Sequence, residues 1–280
     1  MKKSVKNGIH EDDRGFRFYR IMNYPLPKHK EYFAYKEKIK IDLSQKSEFS
    51  RNNKNPNMEE YVGFIDNFGS LYKNFPFVRE IYLANSITFN ALKNNSDIDI
   101  FVISETNRVW LTRLFMSCMM FIYGIKRTAS KHKKKFCLSF FVDKNNCSLE
   151  KLSLWENDIY LFYWIAHLVP LYYEKEQSIY KQNTWIQSFL PNHIPQQLIF
   201  LWNKIFTWNW KFKKTIEFCL WWIFWNFLED FVRKIWGLRM QKIIRKNLKQ
   251  HEWVVVEKNI LKFYQDKRKQ YSELFFSSDN

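Results

Sequence analysis

Two acidic residues, one position apart, begin an apolar run near the middle of the chain. Asp97 and Asp99 lie in the segment SDIDIFVI, where β-branched and aromatic residues follow them directly. Because side chains alternate along a β-strand, a strand here places both carboxylates on one face. Neighbouring carboxylates repel each other, and a cation bound between them resolves this repulsion. Mg²⁺ suits such a site because it takes a few carboxylate oxygens together with substrate phosphates. Asp97 and Asp99 are therefore candidate Mg²⁺ ligands, and an edge strand with two solvent-facing acids is the alternative.

The surrounding segment resembles the signature of the DNA polymerase β-like nucleotidyltransferase superfamily. In that signature an apolar strand leads into a Gly-Ser turn that opens a helix, and Asp-x-Asp then begins the next strand. Here Asn85 and Ser86 occupy the Gly-Ser positions, and Asp97 and Asp99 occupy the acidic positions. The resemblance spans residues 78–104 and extends more loosely to residue 142.

The resemblance implies an enzyme that transfers a nucleoside monophosphate from a nucleoside triphosphate to a hydroxyl acceptor. It implies that Asp97 and Asp99 are catalytic magnesium ligands and that Asn85 and Ser86 lie at the phosphates. Backbone N–H groups at the start of a helix are suited to that role.

Asparagines stand at two positions where the signature carries glycine, Asn85 and Asn90. Asparagine is the non-glycine residue that best tolerates a positive φ, so the turn is expected to survive both changes. The Asn85 side chain fills space that a phosphate would approach, which weakens the expectation of triphosphate binding more than that of the fold.

Active members of the superfamily place a third acid on a later neighbouring strand. Residues 136–142 predict that strand, and strict alternation gives Asp143 the same face as Cys137 and Ser139. Asp143 is therefore the predicted third catalytic residue, although it stands only at the end of the strand. The alternative is that Asp143 ends the strand at a turn. In that case the protein is a degenerate member that binds nucleic acid or a protein without performing chemistry.

A net charge of +17 and a pI of about 9.6 attract phosphates and other acidic surfaces. The densest basic run, residues 126–135, has the sequence KRTASKHKKK. We expect this run to bind RNA or DNA phosphates, with a solvated loop as the alternative. The predicted contacts are Lys131, Lys133, Lys134 and Lys135.

Residues 218–236 form an aromatic, Trp-rich segment that is apolar on nearly all sides. Such a helix is usually the core of a helical subdomain. A surface for a membrane or a partner, and stacking of bases on Trp221, Trp222 or Trp225, are the alternatives. A peripheral membrane protein that uses this helix is thus a third functional hypothesis.

The elements that must position the acidic pair follow a simple order. A helical pattern at 61–72 precedes strands at 78–83, 98–104 and 136–142, with a short helix at 85–95 and a longer one at 108–125. Later helices are predicted at 155–168, 185–190, 196–208, 214–236 and 254–275.

This order predicts an α/β fold: a small nucleotidyltransferase-type mixed sheet flanked by helices, with an α-helical C-terminal region. The predicted divisions are a polar, partly helical N-terminal arm (1–57), the α/β domain (58–147) and the helical region (148–280). Little core is expected from the arm, apart from a helix at 31–41.

The remaining composition favours a cytoplasmic protein. The four cysteines have no C-x-x-C spacing, and no apolar segment follows the first basic residues. The apolar stretches are interrupted or shorter than the ~20 residues of a spanning helix. The six histidines are scattered, which gives no support to zinc chemistry.

Overall fold

The computed structural model describes most of the chain, and its helices and strands alternate along the sequence. The described residues are 16–27, 30–38, 55–153, 158–175, 177–195, 210–219, 223–246, 255–263 and 268–277. The strands are β1 (Val78–Ala84), β2 (Ile98–Ser104), β3 (Phe136–Asp143), β4 (Val169–Tyr173), β5 (Val255–Val256) and β6 (Ile260–Lys262). The helices are α1 (Arg17–Met22), α2 (Met58–Asn67), α3 (Gly69–Tyr72), α4 (Val109–Ile122), α5 (Ile159–Ala166), α6 (Ser178–Gln182), α7 (Trp210–Cys219), α8 (Ile223–Lys246) and α9 (Arg268–Phe276).

The strands form one mixed sheet with the order β4-β1-β2-β3-β6-β5. Only β2 and β3 pair in parallel, and every other neighbouring pair is antiparallel. A parallel pair needs a long crossover, and α4 supplies it. The central strands are buried apart from one early residue in each, as their nearly continuous apolar sequences predict. The predicted α/β class with a mixed sheet is confirmed.

Helices cover both faces of this sheet. On one face Ile98, Ile100 and Val102 belong to a core that includes side chains of α2, α4 and α8. On the other face Phe101 and Ile103 pack in a core with side chains of α5 and α6. Residues that alternate along β2 therefore enter two different cores, which fixes the face of each strand residue.

The C-terminal region adds strands where only helices were predicted. The helix predicted at 155–168 corresponds to α5, and the chain then enters β4, which was not predicted. Pro170 is tolerated there because β4 lies at an edge of the sheet, where one side of the strand has no partner. The helix predicted at 254–275 is wrong: β5 and β6 precede α9, and strands of two and three residues are too short to show alternation. The helix predicted at 196–208 lies outside the described residues.

The N-terminal arm contributes more core than its polar composition predicts. Phe18 of α1 is buried and stacks on Tyr163 of α5 with ring centroids 4.1 Å apart. Phe33 stacks on His167, which also accepts or donates a hydrogen bond with the Tyr19 hydroxyl at 2.9 Å. Residues 30–33 form a single 3-10 turn instead of the predicted helix at 31–41, whose last residues are not described. A few spaced aromatic residues are thus enough to dock the arm on α5.

Helix α8 is attached to α4 through a buried acid. Glu229 accepts hydrogen bonds from the backbone N–H groups of Trp110 and Leu111, each at 2.9 Å, in the first turn of α4. Trp225 is buried against Phe77, so its ring is not accessible for stacking on a base. Trp221 and Trp222 lie outside the described residues. None of the described helices combines the length and the hydropathy that crossing a bilayer requires.

A buried ion pair between α9 and α5 offers a test of this packing. Arg268 donates to the Asp158 carboxylate at 2.7 Å, and their side chains are 5% and 0% exposed. Asp158 also accepts from the Leu161 N–H at the start of α5. Arg268→Ala is expected to lower the free energy of unfolding by about 3–5 kcal/mol, because it leaves a buried carboxylate without its guanidinium. Urea denaturation measures this change.

The matched control is Arg233→Ala, which removes an arginine from an exposed pair with Asp230. A change below about 1 kcal/mol is expected there. Equal effects of the two substitutions would show that the Arg268 pair does not hold α9 in place.

Candidate metal and nucleotide site

The two aspartates meet a cysteine at one end of the parallel strand pair. Asp97 immediately precedes β2, Asp99 is its second residue, and Cys137 is the register partner of Asp99 on β3. One oxygen of each carboxylate and the Cys137 Sγ all lie within 4.8 Å of one another. Three atoms able to bind a metal are thus brought together by the register of two strands.

Arg127 lies against this cluster from the basic loop. Its guanidinium is 3.1 Å from an Asp97 oxygen and 3.4 Å from the Cys137 sulfur. A further hydrogen bond, of 3.1 Å, joins Arg127 Nε to His132 Nδ1 within the same loop. The arginine supplies a positive charge to a carboxylate pair that would otherwise be strongly repulsive.

The pKa values of Asp99 on β2 and Cys137 on β3 are both raised. Burial and the neighbouring Asp97 charge raise the pKa of Asp99 to about 6, although hydrogen bonds from Asn85 and Cys137 and the charge of Arg127 oppose the shift. Burial and the charge of Asp99 raise the pKa of the Cys137 thiol to about 12. At neutral pH Asp99 is therefore mostly ionised and lies beside a neutral thiol.

These donors fit Mg²⁺ only in part. Carboxylate oxygens are the ligands that Mg²⁺ prefers, and Asp97 and Asp99 supply them. A protonated thiol such as that of Cys137 is no ligand for a hard cation, because metals take the thiolate and soft ones select it. The residues that would hold Mg²⁺ are thus Asp97 and Asp99.

Asn85 connects the acidic pair to α5. Its φ of 58° and the φ of 55° at Asn90 lie in the left-handed region, so both asparagines adopt the glycine-like conformation that was expected. The Asn85 Oδ1 accepts from the Trp164 Nε1 at 2.9 Å and from the Tyr160 hydroxyl at 3.4 Å. The same side chain makes a hydrogen bond to Asp99. Asn85 is therefore a positioning residue for Asp99.

Ser86 lies in a shorter element than predicted. Residues Asn85–Ile87 form one 3-10 turn instead of the start of a longer helix. The Ser86 carbonyl accepts from the Ala91 N–H at 2.8 Å, which closes the loop before β2. Since a macrodipole needs several aligned peptide units, a single turn supplies little of the helix-dipole attraction expected for phosphates.

The structure does not bring Asp143 to the acidic pair. Asp143 ends β3, six residues beyond Cys137, and at about 3.3 Å per residue this separation is roughly 20 Å. Its carboxylate accepts from the Asn145 N–H at 3.0 Å, the Asn146 Nδ2 at 2.7 Å and the Asn107 N–H at 3.2 Å. Asp143 caps the turn that follows β3, as the alternative interpretation of this residue had it.

A strand irregularity explains why the alternation argument failed. Leu138 pairs with Ile100 and Phe140 with Phe101, which leaves Ser139 as an extra residue of β3. A bulge of this kind shifts the alternation by one position. Phe140 and Val142 consequently lie in the core on the α5 side, so Asp143 leaves the face that Cys137 occupies.

The four lysines predicted to bind nucleic acid lie in a loop that adjoins the acidic pair. Lys135 O accepts the Ile98 N–H at 2.9 Å, and the Lys134 N–H donates to Ser96 O at 3.1 Å. The side chains contact Asn94, Glu60 and Gly124 O from Lys133, Lys134 and Lys135 respectively. Lys131 is exposed. The ammonium groups of Lys133, Lys134 and Lys135 are thus held in contacts that bound phosphates could replace.

Three tyrosines lie on the side of the pair that faces α5. Burial, the nearby Tyr271 and the charge of Asp99 together raise the pKa of Tyr24 to about 12. Tyr24 stacks on Phe89 at 4.8 Å, and Tyr160 stacks on Tyr271 at 5.7 Å. The acidic pair is therefore bordered by aromatic rings as well as by the basic loop.

Sequence reasoning missed Cys137 and Arg127 as members of the site. The signal for Cys137 was present, because β2 and β3 are joined by one helix and both begin with an apolar residue followed by a polar or small one. Parallel pairing of two such strands in register places their second residues side by side. Nothing in the run KRTASKHKKK distinguishes Arg127 from its basic neighbours.

Comparison of the chain with protein-family models, with curated proteins and with solved structures finds no match.

The buried charge of Asp99 predicts a pH-dependent effect on stability. The pKa of Asp99 is about 6 in the folded protein and has the ordinary aspartate value of 3.8 in the unfolded chain, so the folded state binds more protons between these pH values. The contribution of Asp99 to stability is therefore fully present below about pH 4 and is lost as the pH rises towards 6. Asp99→Asn removes this loss, so the variant should gain on the order of 2 kcal/mol relative to the parent between pH 4 and pH 7.

Urea denaturation of both proteins at a series of pH values measures the difference. The exposed Glu150 provides a matched control, since Glu150→Gln should show no such trend. A difference that stays constant with pH would contradict the assignment of a desolvated, repelled carboxylate at Asp99.

Proposed function

We propose that this protein binds a nucleoside triphosphate with a divalent cation at Asp97 and Asp99, and transfers the nucleoside monophosphate to a hydroxyl acceptor. The observation that carries the proposal is the position of both carboxylates on one strand face, directly beside the turn formed by Asn85–Ile87.

The acidic pair would hold Mg²⁺ through its carboxylate oxygens. A cation held there would supply positive charge against the charge that develops on the phosphates. Asn85 bonds to Trp164 of α5 and to the Asp99 carboxylate, and so holds that carboxylate in position for a cation.

Arg127 is the residue best placed to receive the phosphates. Its contacts to Asp97 and to the Cys137 sulfur place the guanidinium directly beside the two carboxylates. A cation bound by Asp97 would weaken that ion pair and release the guanidinium for phosphate oxygens, which it can bind through two parallel hydrogen bonds. The tyrosines on the α5 side would then provide aromatic faces for the base.

A second candidate function is nucleotide-regulated binding of nucleic acid without transfer. It is favoured by the neutral Cys137 in the strand position beside Asp99 and by the distant cap formed by Asp143. Transfer with two metal ions needs further ligands to align the attacking oxygen. The basic loop beside the pair supplies the surface for RNA or DNA in this alternative.

Cation-dependent nucleotide binding tests what both functions share. Titration of the full chain with a nucleoside triphosphate and Mn²⁺ should show saturable binding by calorimetry. Asp97→Asn and Asp99→Asn should each weaken it by at least about tenfold, because each removes a charged ligand. Glu150→Gln is the matched control and should bind like the parent. Equal affinity in the Asp97→Asn/Asp99→Asn double variant would refute the site.

Pyrophosphate release with mixed nucleic-acid and small-molecule acceptors separates the two functions. A transferase releases pyrophosphate from the parent protein, and Asp143→Asn should leave that release intact because the residue caps a distant turn. A parent that binds nucleotide and releases none supports the second function. Cys137→Asp should then strengthen Mg²⁺ binding by adding a carboxylate, with Cys137→Ser as the variant that keeps the size without the charge.

Nucleic-acid binding should depend on salt through the basic loop. Replacing Lys131, Lys133, Lys134 and Lys135 by Ala should reduce the slope of log K against log salt by about one unit for each lysine that contacts a phosphate. Fluorescence anisotropy with labelled RNA and DNA measures the slope. The matched control removes four exposed lysines elsewhere, Lys144, Lys151, Lys175 and Lys181, and should affect the slope less. The same slope in both quadruple variants would contradict a specific role of the loop.

A further inference from the structure

Helix α8 carries an exposed apolar stripe along much of its length. The stripe consists of five large side chains that are 50–68% exposed: Phe224, Phe227, Phe231, Ile235 and Leu238. Their spacings of three and four residues place them on one side of a helix. Five such side chains in line form an extended patch, which is a mark of an interaction surface.

Contacts on a neighbouring flank of α8 fix the orientation of this stripe. Trp225 and Val232 are buried in the core on that face of the sheet, and Glu229 is bonded to the first turn of α4. Trp225 and Val232 each follow a stripe residue by one position, so they lie about 100° around the helix from it. These contacts hold α8 in one rotation and leave the stripe exposed beside the covered flank.

A basic cavity adjoins one end of the stripe. It has a volume of about 300 Å³ and is lined by Leu238 of the stripe together with Arg233, Lys234 and Lys258. Trp110 and Val256 form apolar parts of its wall, and Glu257 is the one acidic residue among those that line it. A group that reaches this cavity from the stripe thus meets an excess of positive charge.

We propose that α8 is a docking surface for an anionic lipid bilayer, with the apolar stripe at the boundary of the acyl chains and a lipid phosphate in the basic cavity. A helix of this type lies in the plane of the interface and binds by apolar burial plus attraction to anionic headgroups. The chain's net charge of +17 adds a long-range attraction to such a surface.

The charge also argues against a second copy of the chain as the occupant. Two copies that met through their stripes would bring two +17 proteins together, with Arg233, Lys234 and Lys258 of each near the contact. Like charges at an interface oppose association, whereas anionic headgroups neutralise the same residues.

Vesicle sedimentation with the full chain tests the proposal. The protein should sediment with vesicles of phosphatidylcholine and phosphatidylglycerol in equal parts, and much less with phosphatidylcholine alone. Phe227→Gln/Phe231→Gln/Ile235→Gln should lower the affinity for the anionic vesicles by at least about tenfold, since it removes apolar burial. Arg233→Gln/Lys234→Gln/Lys258→Gln should also weaken binding to anionic vesicles and leave the weak binding to neutral ones unchanged.

A matched control uses other exposed apolar residues, Phe121 and Ile122 at the end of α4. Phe121→Gln/Ile122→Gln should bind vesicles like the parent, and an equal loss in that variant would overturn the assignment to α8. Absence of binding by the parent, or parent-like binding by the stripe variant, would overturn it as well. So would a dimer in light scattering that the stripe variant abolishes, because a second copy would then cover the stripe. Circular dichroism confirms that each variant is folded, and none of the substitutions touches the nucleotide site.

Discussion

The parallel pairing of β2 with β3 is the constraint on which the candidate site depends. It places Asp99 beside Cys137 and brings the loop that precedes β3 against the residues that precede β2. The pairing is made possible by α4, whose apolar side chains cover one face of both strands while its length spans the crossover. A slip of one residue in this register would turn Asp99 or Cys137 to the opposite face and separate the cluster.

Bringing two carboxylates together at the edge of a core is unfavourable, and the surrounding residues limit that cost. Asn85 and Cys137 form hydrogen bonds with Asp99, and Arg127 forms an ion pair with Asp97. The balance still leaves Asp99 with a raised pKa, so the ionised pair is held in a state that an added cation would stabilise. This is the physical argument for a ligand at this place, and it holds for both functions considered above.

The sequence was informative where local patterns decide the structure and uninformative where distant parts meet. Strands at 78–83, 98–104 and 136–142 were predicted because a run of apolar, β-branched and aromatic residues, and the alternation of side chains along such a run, are local features; they correspond to β1, β2 and β3. Asp97 and Asp99 were predicted to share a face for the same reason. Short strands such as β5 and β6 exist because neighbouring strands pair with them, and no pattern within two or three residues shows that.

Asp143, the predicted third acid, also shows that a strand's own sequence does not reveal how the strand pairs. Alternation along β3 gave Asp143 the face of Cys137, and the extra residue Ser139 reversed it. A bulge is a feature of pairing, which a single strand's sequence does not contain. Asp143, Asn145 and Asn146 instead satisfy one another at a turn, so an acid in a plausible position serves the fold.

The two faces of the sheet separate the two proposed binding surfaces. Trp225 and Val232 attach α8 to the core that contains Ile98 and Ile100, whereas Asp99 is linked through Asn85 to Trp164 on the α5 side. Helix α8 therefore packs on the face of β2 opposite to the one that carries Asp99. Substrates could reach the pair while the protein is docked, so membrane attachment and nucleotide binding do not compete for the same surface. The sheet between them is rigid and buried, and it would hold the candidate site at a fixed distance from the lipid headgroups.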